Sequence, residues 1–181
     1  MDLDDAWRLG RGLLDQHGLA DWTLRYDRAV RRAGACRSRE RVISLSAPLT
    51  AVHDEATVRD TLLHEVAHAL AGPRAGHGPR WRSMALAVGA TPSRCLDDDA
   101  PRIAGRWLGT CPRGHTIDRH RRPTRVLSCR LCSARFDPGA LFRWTRDGVG
   151  VPDAQMPEGY VAELALLREH GAGALGCACH D

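Results

Sequence analysis

Thr61-Leu62-Leu63-His64-Glu65-Val66-Ala67-His68-Ala69-Leu70 is the stretch that decides the reading of this 181-residue chain. It lies within residues 54–71, where Val58, Leu62, Val66 and Leu70 recur four apart and line one face of a helix. Asp54 suits the N-cap, Glu55 the positive end of the helix dipole, and Gly72-Pro73 the stop. His64 and His68 then stand one turn apart on the same face, where both imidazoles reach one zinc ion. Glu65 sits beside the pair, placed to take a proton from water acidified by that metal.

A catalytic zinc site needs a third protein ligand and an open position for water. The position six residues after His68, where the metzincin pattern has a histidine, is Arg74, and no Glu occurs between Glu65 and Glu158. His77 is the natural third ligand, because Gly72, Pro73, Gly76 and Gly78 let the chain reverse and return it to the helix. Asp97, Asp98 and Asp99 are weaker alternatives within what reads as an acidic linker, and His53 reads as a surface residue. Outward from this helix, residues 4–17 show a helical period, 22–26 and 41–46 read as strands, and 34–36 as a third strand antiparallel to 41–46. Pro79 opens another helix with Trp81, Ala85 and Val88 on one face, and 158–170 reads as a short helix.

His64-Glu65-x-x-His68, followed nine positions later by His77 in Gly76-His77-Gly78-Pro79-Arg80-Trp81, resembles the SprT-like zinc metallopeptidases, the Spartan-related family. The Trp22 strand, Ala33-Gly34-Ala35-Cys36, Val42-Ile43-Ser44-Leu45-Ser46 and Val58-Arg59-Asp60-Thr61-Leu62-Leu63 extend the likeness over about residues 3–90. The resemblance implies a zincin-like α+β domain, its HExxH helix packed on a small antiparallel sheet. It also implies His64, His68 and His77 as zinc ligands and Glu65 as the catalytic base. Many members carry a zinc ribbon after the peptidase domain.

A second constellation follows. Cys111-Pro112-Arg113-Gly114-His115 and Cys129-Arg130-Leu131-Cys132 make a Cys3His set, a closed tetrahedral site that reads as structural zinc, with His120 competing with His115 for the fourth place. So small a ribbon is expected to draw most of its folding free energy from the metal. Cys177, Cys179 and His180 read as a frayed tail, and Cys36 and Cys95 as small buried apolar residues.

Charge divides the chain in the same way. Over residues 1–101, 14 Arg balance 14 acids; over 102–146, 11 Arg face only Asp118 and Asp137; over 147–181, Arg168 faces six acids. All 26 basic residues are Arg. We therefore expect a peptidase domain over 1–100, an Arg-rich ribbon over 101–146 and an acidic tail with a short helix over 147–181. Arg106, Arg113, Arg119, Arg121, Arg122, Arg125 and Arg130, with Trp107 and Trp144 nearby, are candidates for sequence-independent contact with DNA.

The composition, 43% hydrophobic and 27% charged, is globular, and no apolar run approaches a membrane span. An acidic start without an apolar segment behind it, and seven cysteines, lead us to expect a cytoplasmic protein without disulfides, able to associate with the nucleoid. The expected function is a zinc endopeptidase with one catalytic and one structural Zn2+, acting on proteins associated with or crosslinked to DNA in a stress response. The alternative is a zinc-stabilised nucleic-acid-binding module with an inactive peptidase fold.

Overall fold

The computed structural model describes residues 1–93 and 100–170. The chain forms two compact units, Met1–Ile103 and a second beginning at Ala104, and each builds its own core.

In the first unit, α1 (Leu3–Gln16) starts at Asp2, whose carboxylate accepts the Asp4 and Asp5 amides. Three strands follow, β1 (Thr23–Asp27), β2 (Gly34–Arg37) and β3 (Val42–Ser46), in the sheet order β1-β3-β2. β2 runs antiparallel to β3, as expected, but β1 runs parallel to it, Thr23 facing Val42 and Asp27 facing Ser46. The sheet is therefore mixed rather than wholly antiparallel. Its middle strand is apolar or hydroxylic throughout and buried at every position, Ile43 and Leu45 in the core, while on the other side Ser44 donates to Asp27 and Ser46 to the Ala29 carbonyl of the β1–β2 loop.

Ser46 ends β3 and caps a short helix, α2 (Ala47–Val52), which sequence periodicity did not reveal. α3 (Glu55–Ala71) follows, its Thr57 amide held by Asp54 at 2.8 Å, and ends at Gly72 with φ +87°. Val58, Leu62 and Val66 are buried against Leu13, Leu14, Leu24, Ile43 and Leu45. Each of the three contributes about 1.5–3 kcal/mol of burial free energy. Gly10 of α1 makes this approach close enough that an added Cβ would stand 2.5 Å from Leu24 Cδ2. α4 (Pro79–Val88) returns beside α3 and buries Trp81 completely. His53, expected at the surface, is 2% exposed, with Nε2 2.9 Å from the Pro101 carbonyl oxygen.

In the second unit, β4 (Trp107–Thr110), β5 (Thr116–Arg119), β6 (Arg143–Arg146) and β7 (Val149–Gly150) form an antiparallel sheet in the order β5-β4-β6-β7. α5 (Glu158–His170) sends Tyr160, Leu164 and Leu167 into one core with Trp107, Val126, Phe142 and Trp144. The structure thus differs from a separate tail beginning at 147. That boundary cuts the β6–β7 hairpin, and the Glu163 carboxylate accepts the Val126 amide at 2.7 Å. The apolar faces of β4, β6 and α5 also give this unit a core larger than the ribbon segment alone implied. Cys95 and Asp97 to Asp99, and Cys177, Cys179 and His180, lie outside the described residues. No described helix is long and apolar enough to cross a membrane.

Candidate functional site

The i, i+4 spacing on α3 puts His64 and His68 side by side, their ring centroids 4.9 Å apart. The loop from Gly72 to Gly78 returns His77 to them, using the positive φ of Gly72 (+87°) and Gly76 (+51°), a conformation glycine adopts without strain. Its turns close through Ala75 N–H to Gly72 O at 3.2 Å and Gly78 N–H to Ala75 O at 3.0 Å. His64 Nε2 and His68 Nε2 each lie 3.1 Å from His77 Nε2.

Three imidazole nitrogens at this spacing repel one another unless a proton or cation lies between them. The spacing is close to the ligand–ligand edge of about 3.3 Å that tetrahedral zinc with nitrogen ligands requires. Burial and the neighbouring imidazoles hold His68 down to about 4, and burial followed by His77 lowers His64, so the lone pairs stay available to a metal. His64 also bonds the backbone of Ser93, the kind of outer contact that orients a ligating imidazole.

Beneath the three rings lies Trp81, fully buried. Its ring centroid is 4.7 Å from His64, 5.3 Å from His68 and 4.6 Å from His77, stacked on His68 and edge-on to His77. Periodicity had assigned Trp81 to the core face of α4, and so it is. What the pattern lacked was that this core face is the floor of the histidine cluster.

Glu65 faces the sheet and is 7% exposed. Burial pushes its carboxyl up to about 7, opposed by the Arg32 charge and by the Cys36 backbone N–H, which donates to it. β2 passes so close that a Cβ on Gly34 would stand 2.8 Å from Glu65 Cγ and 2.9 Å from Oε1. The contact of Gly34 and Cys36 with Glu65 was beyond sequence reasoning, because no local pattern reports which helix a strand residue faces.

A model of the SprT-like family matches residues 10–100, which run from α1 through β2, the HExxH helix and His77. The chain belongs to the SprT-like family. Its SprT-like unit is therefore a metallopeptidase-type domain of the zincin-like kind. Comparison with curated proteins and with solved structures returns no significant match. Neither tyrosine accompanies the SprT-like site: Tyr26 Oη donates to the Leu3 carbonyl at 2.6 Å, and Tyr160 belongs to the core of the second unit.

The second unit brings together Cys111, His115, Cys129 and Cys132. His115 Nδ1 lies 3.6 Å from Cys111 Sγ, 3.6 Å from Cys129 Sγ and 3.3 Å from Cys132 Sγ, so His115 rather than His120 joins the thiols. Burial resists ionisation of Cys111, but the Arg113 amide, the Cys132 thiol and His115 outweigh it and bring the thiol down to about 7. A set of three sulfurs and one nitrogen suits zinc.

The candidate nucleic-acid arginines divide. Arg106 chelates Asp147 through Nε at 2.9 Å and Nη2 at 2.5 Å, and Arg125 pairs with Glu163 at 3.0 Å. Arg122 donates to the Gln155 carbonyl and Arg130 to that of Ala134. The side chains of Arg113, Arg119 and Arg121 are exposed and make no hydrogen bond or ion pair among the described residues.

Proposed function

We propose that this SprT-like chain is a zinc-dependent endopeptidase acting on proteins associated with or crosslinked to DNA. The observation that carries the reading is the convergence of three imidazole Nε2 atoms with a buried glutamate on the next residue of the same helix turn. His64, His68 and His77 are the residues that would hold the metal. Bound there, zinc would polarise the scissile carbonyl and acidify the attacking water. Glu65 takes the proton of that water on its carboxylate as the carbonyl carbon is attacked, then delivers it to the leaving amine nitrogen. The Cys36 N–H orients the carboxylate, and the contact with Gly34 keeps the carboxylate's sheet side free of side-chain bulk.

In the second unit, Cys111, His115, Cys129 and Cys132 would hold a structural zinc. Arg113, Arg119 and Arg121 supply unspent charge for a phosphate backbone. A cytoplasmic, nucleoid-associated setting follows from this reading.

The test is cleavage of a DNA-bound basic protein by wild type and Glu65→Gln, each with and without single-stranded DNA, with zinc content measured in both. Wild type is expected to cleave, more so with DNA, and the variant to lose about 10²–10⁴-fold with its zinc unchanged. If both proteins are inert while zinc is present and DNA is bound, the chain is a binding module with an inactive peptidase fold.

A further inference from the structure

The balanced charge of residues 1–101 conceals a basic segment within it. Residues 25–41 contain seven arginines against Asp27 and Glu40, and all seven are exposed. Strand register places two of them, and the other five lie in the loops that join these strands. Leu24 of β1 pairs with Ile43 and Cys36 of β2 pairs with Ile43 from the other side, so these face the helices and the core. Arg25, opposite Ser44, and Arg37, opposite Val42, therefore stand on the outer face of the sheet.

The β1–β2 loop is stapled over one end of that face. Ser46 Oγ donates to the Ala29 carbonyl at 2.5 Å and Ser46 N–H to that of Ala33 at 2.7 Å. Asp27 accepts the Ala29 amide, the Ser44 hydroxyl and Arg32 Nη2, each at 2.8 Å. The loop is thereby preorganised, and Arg32 spends its charge on Asp27. Arg37 is paired with Glu40 and Arg41 with Asp21. The side chains of Arg25, Arg28, Arg31 and Arg39 make no hydrogen bond or ion pair among the described residues.

We propose that this outer face of the β1-β3-β2 sheet is a nucleic-acid backbone surface carried by the SprT-like unit itself, in addition to the arginines of the second unit. Concentrated like charge costs self-repulsion, which a polyanion removes. Guanidinium forks match phosphate oxygens, and the partners available on this face are charge and backbone. A protein partner is disfavoured because protein interfaces are anchored by aromatic and large apolar side chains, and none among residues 23–46 is exposed. β2 joins the face to the chemistry: Gly34 on its inner side touches Glu65, while Arg37 lies on its outer side. A nucleic acid on this surface runs one strand away from Glu65. The surface does not depend on the peptidase reading, and its test reads binding rather than cleavage.

The experiment uses the full chain carrying Glu65→Gln and a fluorescein-labelled single-stranded DNA oligonucleotide, with anisotropy titrations between about 50 and 200 mM salt. Against this background, Arg25→Gln/Arg28→Gln/Arg31→Gln is compared with Arg113→Gln/Arg119→Gln/Arg121→Gln, and with the three sheet arginines changed to Lys. The sheet triple-Gln variant is expected to bind at least about 10-fold more weakly at low salt, with the slope of log affinity against log salt reduced by about 2. Its far-UV circular dichroism and Tm should match the parent, because the three side chains hold nothing in the fold. The triple-Lys variant should keep most of the binding. An unchanged affinity and slope in the sheet triple-Gln variant overturns the proposal. So does displacement of the oligonucleotide by polyglutamate at equal charge, which would make the face a site for acidic proteins. Loss of binding in the Lys variant as well would mark a structural effect and also overturn it.

Discussion

Gly34 has an ordinary negative φ, so its need for glycine comes from what lies opposite. A methyl group there would meet Glu65 Cγ at 2.8 Å and Thr61 Cγ2 at 3.0 Å, both on the rigid helix α3. Gly34→Ala should therefore push Glu65 away from the Cys36 amide and cost about 1–3 kcal/mol of stability through overpacking. A thermal melt measures the stability cost. Peptide cleavage measures the displacement of Glu65, as a fall in kcat larger than any rise in KM. Unchanged values in both would show that β2 yields without disturbing Glu65. Asp54 and Pro79 were legible at this scale, because caps and helix starts are set by residues within a turn of one another. The contact of Gly34 with Glu65 spans 31 positions and leaves no local trace.

Among the elements, α3 and α4 carry the candidate site between them, and Trp81 is the piece they share. It is fully buried with all three histidine rings within 5.3 Å, so packing and ligand orientation fall on one side chain. Trp81→Ala is expected to cost about 3–5 kcal/mol. It should also weaken metal retention about 10–100-fold, as loss of outer support around ligands does. Trp81→Phe keeps an aromatic floor and should lose less of both. Unfolding curves, paired with competition against a chelator of known affinity, check the prediction. Equal metal retention in Trp81→Ala would reduce Trp81 to a core residue. The helical periods of α1, α3 and α4 were readable in sequence. α2 was not, because six residues give too little period to register.

For the molecule as a whole, two units with separate cores and separate candidate metal centres should respond separately to metal loss. Cys132→Ser is expected to lose one equivalent of bound zinc and to lower one thermal transition. The histidine centre and the transition of the SprT-like unit should be unaffected. Metal analysis with a melt followed by calorimetry tests this. Loss of both equivalents would mean that the centres are coupled. The second unit should keep residual structure without its metal, since Trp107, Phe142, Trp144, Tyr160 and Leu164 form a core that does not consist of ligands.

By itself the sequence determined the HExxH helix, the third histidine, the paired cysteine knuckles and the family, because these rest on residue type and spacing over one or two turns or a short loop. Only the tertiary structure decided that β1 lies parallel to β3 and that the segment after 147 joins the second unit's core. It alone showed that four of the seven nominated arginines are already engaged, and that Trp81 and Gly34 enclose the candidate site. Periodicity records which face of an element is apolar. Which partner covers that face depends on long-range packing and on charge pairing between distant residues, and neither is written in any short window of the chain.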